Sequence, residues 1–307
     1  MSAHNHDPNH AAPVESTTGR LVLTIMLNFI ITVAELVGGI ISGSLSLIAD
    51  ALHNFSDGVA VIITYAALKL KSRKKSYRHT FGLKRAEILA AVINSSVLVV
   101  ISLYLFYEAV QRFTEPQPVA GGLMTTVATI GLIANVIGTL LLRRDSQKSI
   151  NIKAAYLHLF SDAVSSVGVV LGGIAIHFWH IYWIDPSLTV AIGLYILKAS
   201  YQILMQAVHI LMEGAPPDIS LQDIQHHFEA VPEVIDIHHV HIWTVGEDDV
   251  HLEAHVNIKD MSISESGVLR QKLEQMLKDS FEINHITLQF ECDECEDVGI
   301  IDEKKNC

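Results

Sequence analysis

Six long apolar runs constrain this chain more than any other feature. They fall near residues 20–41, 46–70, 86–112, 120–142, 154–178 and 184–212. Each is long enough, or nearly so, to cross about 30 Å of hydrocarbon as a helix rising roughly 1.5 Å per residue. Within lipid a chain must satisfy its own backbone groups, so helical spans are the default. Half of the 307 residues are hydrophobic (50%) and only 18% are charged, a balance unusual for a soluble protein of this length. The charge is also divided. Residues 1–212 carry 15 basic and 11 acidic residues, net +4, and residues 213–307 carry 6 and 22, net −16. The first part reads as membrane and the second as an acidic, water-facing domain. Such a domain repels phosphate, which argues against nucleic acid as a partner.

The short loops predict the orientation. Lys69, Lys71, Arg73, Lys74, Lys75, Arg78, Lys84 and Arg85 lie between the second and third runs, and Arg143, Arg144 and Lys148 between the fourth and fifth. The intervening loops at 42–46, 115–119 and 180–185 hold no lysine or arginine. The positive-inside rule then places both termini in the cytoplasm, with Trp179 and Trp183 as anchors at the outer interface. The polar segment before Leu21 lacks the arrangement of a cleavable signal, so the first run is expected to be retained. The predicted order is a flexible tail at 1–19 bearing His4, His6 and His10, a transport domain of six transmembrane helices at 20–212, a cytoplasmic metal-binding domain at 213–291 and a Cys-containing tail at 292–307. Asp185-Pro186 reads as a cap and first-turn proline for the sixth helix.

One six-residue pattern occurs twice inside this apolar context: LHNFSD at 52–57 and LHLFSD at 157–162. Each places a histidine and an aspartate four apart, on one helix face: His53 with Asp57, and His158 with Asp162. If the two faces meet, they offer two imidazoles and two carboxylates, a tetrahedral set suited to zinc, with cadmium, cobalt and nickel as further candidates. Helix pairing or a proton relay are the competing readings, but ionisable groups at membrane depth call for a function. Asn28, Asn94 and Asn135 can join helices. Glu35 and Asp50 are further acids, able to tune the site or relay protons. Histidine titrates near pH 6.5, so protons compete directly with a bound metal. Metal taken up facing inward and exchanged for protons facing outward is a natural efflux cycle. No GxxxxGK[ST] loop is present for an ATPase engine, and no nucleophile set points to an enzyme. A channel needs a continuous polar path, which the sparse polar residues do not supply.

After Met212 the pattern becomes α-β-β-α-β: a helix capped by Ser220 or Asp218 and running to about Ala230, strands at 234–245 and 250–258, a helix at 262–280 and a strand at 285–291. An open sheet with helices on one face gives a small core, marginal alone and helped by dimerisation. Histidines are dense here: His226, His227, His238, His239, His241, His251, His255 and His285. Strand alternation predicts His239 and His241 on one face with His238 on the other, and His251 with His255 on one face. Cys292 and Cys295 form a CxxC that reads either as a zinc ligand pair beside these histidines or as a free or redox pair. His285 joins them as a candidate ligand. Zinc linking subunits through the histidines and CxxC is expected to tighten a dimer, by reducing the self-repulsion of an acidic domain.

Taken together, these residues resemble the cation diffusion facilitator family, in particular its zinc-transporting branch. The resemblance covers nearly the whole chain and implies a Y-shaped homodimeric exporter of divalent metal ions, proton-coupled and set in a lipid bilayer. It implies a six-helix membrane domain with a ferredoxin-like cytoplasmic domain. It also implies a transport site at His53, Asp57, His158 and Asp162, with histidine at 53 matching the more zinc-selective pattern. His79-Thr80-Phe81-Gly82 with Arg85 and Glu87 is similar to the family's loop before the third span, where His79 joins a peripheral metal. His238 to Trp243 resembles the start of the cytoplasmic sheet. With His255 it maps onto that domain's metal site, which Glu291 completes. Cys292 and Cys295 resemble a CxxC of the vesicular branch. The compact form, without a long His-rich loop between the fourth and fifth spans, implies a bacterial inner (plasma) membrane. The expected function is proton-coupled efflux of zinc, with cadmium as a further cargo. The alternative is a membrane-anchored zinc sensor that moves nothing.

Overall fold

The computed structural model describes residues 14–71, 75–143, 150–246, 249–292 and 299–301. His4, His6, His10 and Cys295 lie outside them. The chain divides into two compact units, Met1–Ile62 with Asn94–Gln202, and Ile63–Ile93 with Ile203–Cys307.

Six long helices follow the six apolar runs: α1 (Val14–Ser42), α2 (Leu45–Lys71), α3 (Ala86–Thr114), α4 (Gly121–Leu142), α5 (Ile150–Trp179) and α6 (Ile184–Leu211). Among the described residues, four are long and apolar enough to cross a membrane: α3, α4, the Tyr156–Trp179 part of α5, and α6. A shorter apolar helical segment covers Asn28–Ser42. The chain therefore has a helical membrane domain. Its outward face is apolar along whole helices, for example Ile93, Val97, Val100, Leu103 and Tyr104 on α3. In water a face of that size would be an association hazard; in lipid it is the solvated surface.

Small residues let these helices approach. A Cβ on Gly131 of α4 would stand 2.1 Å from Glu35 Oε1, so glycine is what admits the α1 acid at that level. Gly121 of α4 meets the α5 backbone, where an added Cβ would fall 2.6 Å from the amide nitrogen of His177. Such contacts replace the hydrophobic drive that lipid does not provide. Leu45, Ala49 and Leu52 of α2 pack with Ile101 and Leu105 of α3 and Ile192 of α6.

The expectation that Asp185 caps α6 is corrected. That helix already begins at Ile184, and the Asp185 carboxylate serves the start of α2. It accepts hydrogen bonds from the amides of Leu45 (2.8 Å) and Ser46 (3.1 Å) and from the hydroxyls of Ser44 and Ser46 (both 2.7 Å). The guanidinium of Arg112, on α3, lies 3.6 Å from it and donates to the Gly43 carbonyl. The cause is accessible to elementary bookkeeping. The first amides of α2 have no partner within their own helix and the segment is buried; the Ser44 hydroxyl takes the Leu47 amide at 3.2 Å, and the Asp185 carboxylate takes those of Leu45 and Ser46.

The second unit contains α7 (Leu221–Glu229), β1 (Val234–Thr244), β2 (Val250–Ile258), α8 (Ile263–Phe281) and β3 (His285–Glu291). The Ser220 hydroxyl caps α7 through the Asp223 amide, and Ser262 and Glu265 form a reciprocal capping box on α8. Antiparallel β1–β2 pairing and parallel β2–β3 pairing give the order β1-β2-β3. The α-β-β-α-β order is therefore present, but the sheet departs from a full ferredoxin-like one. That fold threads a further strand between the two parallel ones; among the described residues there is none, and β3 pairs directly with β2. Ile237, Val240, Ile242, Leu252, Ala254 and Val256 build a core with Phe228 of α7 and Leu269, Leu273 and Leu277 of α8. By strand alternation, His251, Glu253, His255 and Asn257 stand on the opposite face of β2.

Candidate metal centres

The repeated motifs of α2 and α5 meet. His158 Nε2 lies 3.2 Å from Asp57 Oδ2 and 3.5 Å from Asp162 Oδ2. His53 Nδ1 is 3.6 Å from Asp57 Oδ2, and its Nε2 is 3.9 Å from Asp162 Oδ1. The two imidazoles face edge to plane, with centroids 6.0 Å apart. Ligand atoms of His53, His158 and Asp162 fall within 4.8 Å of one another. His53 Nδ1, Asp57 Oδ2 and Asp162 Oδ2 are buried without a hydrogen-bond partner. Buried polar atoms left in that state are costly, a cost that a cation or protons would offset; Asp57 stands beside the group of His53, His158 and Asp162 rather than within it.

The surroundings hold the two helices in register. Asp50, one turn before His53, accepts hydrogen bonds from Ser165 (3.1 Å) and Ser166 (3.5 Å) of α5. Asn54 donates to Glu35 of α1 (3.2 Å), and Ser56 to Asn94 of α3 (3.3 Å). Tyr195 of α6 sets its ring edge-on to His53 at 5.9 Å. Glu35 and Asp50, left open by sequence reasoning, thus act as interhelical acceptors. Nothing in the sequence marked Tyr195 as a neighbour of His53, because that contact requires α6 to pack on α2.

In the second unit His238, His255 and Glu291 also place ligand atoms within 4.8 Å. His238 Nδ1 is held by Asp236 (2.7 Å), which leaves Nε2 towards Glu291 Oε2 at 3.2 Å. His255 Nδ1 lies 2.7 Å from Glu291 Oε1. A carboxylate fixing the far nitrogen of a histidine is the usual way to aim a metal ligand. His239 and His241 share a face, as the alternation predicts, with Nε2 atoms 3.3 Å apart, but His238 does not take the other. The register shifts between His238 and His241, and His239 adopts a left-handed backbone (φ 49°). A bulge therefore brings both His238 and His239 beside His255, with ring centroids at 5.6 and 4.9 Å.

The other predicted residues are dispersed. His285 stands at the far end of β3 from Glu291, stacked at 4.6 Å on His251, which is buried against Trp243 and Phe81. It does not join the His238 set; the parallel register of β3 with β2 fixes that separation. His79 is exposed in a tight turn, its amide bonded to the Ser76 carbonyl. Cys292 is exposed just beyond β3. A further tie went unforeseen: Lys84, before α3, pairs with Asp249, which also bonds His251 at 3.0 Å. Burial alone would raise the Asp249 carboxyl, but the hydrogen bonds from Lys84 and His251 outweigh it and hold it below the usual carboxylate range.

Comparison with known proteins bears on both halves. Residues 21–212 match the cation efflux transmembrane domain, and residues 216–292 match the cytoplasmic domain of cation efflux proteins. The chain belongs to the cation efflux family. Its members are carriers of metal cations, so this transporter is not an enzyme. The chain is 36% identical over 291 residues to the zinc transporter ZitB of Pectobacterium atrosepticum, covering 94% of this chain and 90% of that one. It is 37% identical over 295 residues to a cadmium, cobalt and zinc/H(+)-K(+) antiporter of Bacillus velezensis, covering 94% and 91%. Among solved structures, the metal-bound C-terminal domain of the CzcD transporter from Cupriavidus metallidurans is 36% identical, covering 24% of this chain and 99% of that one, with a TM-score of 0.22.

Proposed function

We propose that this cation efflux protein exports zinc, and cadmium as a second cargo, from the cytoplasm in exchange for protons. The observation that carries the reading is the pair of His-x3-Asp faces closed on one another, with three buried ligand atoms lacking a partner. Two imidazoles and two carboxylates suit a borderline ion in tetrahedral geometry. The relatives named as zinc transporters and as a cadmium, cobalt and zinc antiporter support that choice of cargo. The cycle follows from the ligands. Metal binds to neutral imidazole and ionised carboxylate, and protons arriving from the opposite side displace it.

In this reading α1 to α6 all span a bacterial inner membrane with both termini cytoplasmic, and two chains form a homodimer. His238, His255 and Glu291 hold a resident zinc, with Cys292 and Cys295 adjacent and His79 and His285 as peripheral contacts. A zinc sensor that moves nothing would need only the cytoplasmic set, and would leave the buried acids of α2 and α5 without a purpose. The test is zinc entry into proteoliposomes under an imposed pH gradient, for the wild type and Asp57→Ala, with cadmium, manganese and iron for comparison. Gradient-driven zinc flux that vanishes in Asp57→Ala supports the exporter. Zinc binding without flux in the wild type establishes the sensor instead.

A further inference from the structure

The bulge in β1 produces a second pair of histidines that the His238 set does not use. His239 Nε2 and His241 Nε2 approach to 3.3 Å, with ring centroids 4.7 Å apart and planes at 86°. Two imidazole nitrogens bound to one tetrahedral zinc, each at about 2.0–2.1 Å, stand roughly 3.3–3.4 Å apart. The pair therefore already has the bite of a chelate. Its backbone is not relaxed either: His239 holds a positive φ in the middle of a strand, a conformation that persists at functional positions more than elsewhere. The His238 set is complete without these residues, since Asp236 and Glu291 occupy both nitrogens of His238.

A carboxylate stands opposite in the register, with its oxygens not gathered within 4.8 Å of both imidazoles. Glu253 of β2 is the cross-strand partner of His241, exposed and on the same face. His241 and Glu253 also line a cavity of about 820 Å³ that His79 borders, so the pair is open to solvent and to incoming ions. We propose that His239 and His241, with Glu253 and water, bind a second divalent cation in each subunit, independent of the ion at His238, His255 and Glu291. Imidazole nitrogen with one carboxylate selects a borderline ion such as zinc or cobalt over magnesium or calcium. With one carboxylate, two exposed imidazoles and water in place of a fourth protein ligand, the site is the weaker and faster-exchanging of the two.

The experiment is a count of cobalt bound per subunit by the full-length protein in nanodiscs, read from its visible absorbance and checked by elemental analysis. His241→Gln is the first variant, because the side chain is exposed and its loss leaves the bulge intact; thermal unfolding without metal confirms an unchanged fold. His239→Gly, which suits the positive φ, is the second. Each is expected to bind one cobalt fewer than the wild type, with zinc flux retained. The reciprocal pair His238→Ala and Glu291→Gln is expected to lose the other cytoplasmic ion and keep this one. A count unchanged in both His241→Gln and His239→Gly overturns the proposal. So does simultaneous loss of both cytoplasmic ions in either variant, which would show one shared site.

Discussion

The two histidine–carboxylate sets of this molecule use the same kinds of side chain and differ in how fully their buried atoms are matched. In the membrane unit, His53, Asp57, His158 and Asp162 converge from two helices, and three of their buried atoms have no hydrogen-bond partner. In the cytoplasmic domain one atom, His255 Nδ1, is in that state, while His238 is matched at both nitrogens, by Asp236 at 2.7 Å and Glu291 at 3.2 Å. The first arrangement is unstable without a cation or protons, and so gives up one only on receiving the other. The second has carboxylate partners whether or not a metal is present, as suits a resident ion. Under the proposed function, what separates cargo from resident metal is how far the side chains satisfy one another rather than the choice of ligand.

The sharpest break of that comparison is Asp162→Asn, at the most buried of the four membrane ligands, 3% exposed. It keeps the shape and removes a charge. Substitutions around a metal site that spare its ligands cost about 10–100-fold, and loss of a ligand itself is expected to lower zinc flux by more than about 100-fold. Proteoliposome flux at matched protein insertion measures it. Flux within about threefold of the wild type would remove Asp162 from the cargo site and leave the two sets indistinguishable.

The next effect lies in the frame that holds the cargo site. Asp185→Ala removes four hydrogen bonds from the start of α2, two turns before His53, and takes one carboxylate from Arg112, which keeps Glu108 at 3.4 Å and the Gly43 carbonyl. A hydrogen bond to a charged group is worth about 1.5–3 kcal/mol, so unfolding in nanodiscs is expected to shift by at least that order. The corresponding change in the cytoplasmic domain, Asp236→Ala, strips one partly exposed partner and should cost far less. Equal losses would mean that the membrane site needs no stiffer support than the resident one.

These two variants also mark how far the sequence could be read. Both His-x3-Asp faces were legible, because spacing of four on an apolar helix leaves one interpretation of which residues share a side. All six long helices and the three strands were legible too, since apolar length and alternation are local signals. The role of Asp185 was not. An aspartate before a proline looks like its own helix's cap, and only packing of α6 against the α1–α2 turn redirects it. The pairing of His239 with His241 was legible, but the placement of His238 on the opposite face failed for a related reason: a bulge inserts one residue into the alternation, and nothing in His238-His239-Val240-His241 announces it. The separation of His285 from Glu291 follows from β3 running parallel to β2, which is a matter of topology and not of residue type.

A smaller effect on transport is expected at the proposed resident site. Glu291→Gln removes the carboxylate that faces His238 and His255, and as the loss of a ligand it should lower zinc affinity there by more than about 100-fold. Flux under saturating zinc should fall by less than about tenfold. Flux lost as completely as in Asp162→Asn would show that the cytoplasmic ion is on the transport path, and the distinction between cargo and resident metal would fail.

The smallest effect concerns the tie from Lys84 through Asp249 to His251. Asp249 has a carboxyl held below its ordinary value in the folded protein. A depressed folded value stabilises the fold at every pH above the unfolded value, about 3.9, and that contribution disappears as pH falls through the folded one. Between pH 5.5 and 7.5 the carboxylate therefore stays ionised, and its pairing with Lys84 is steady. Amide hydrogen exchange of residues 76–85 is the readout. It should be the same at both pH values once corrected for intrinsic rates, and faster by a few-fold in Asp249→Asn. Protection that falls in the wild type on moving from pH 7.5 to 5.5 would make this tie proton-sensitive, and would extend to the cytoplasmic domain the proton dependence reserved above for the cargo site.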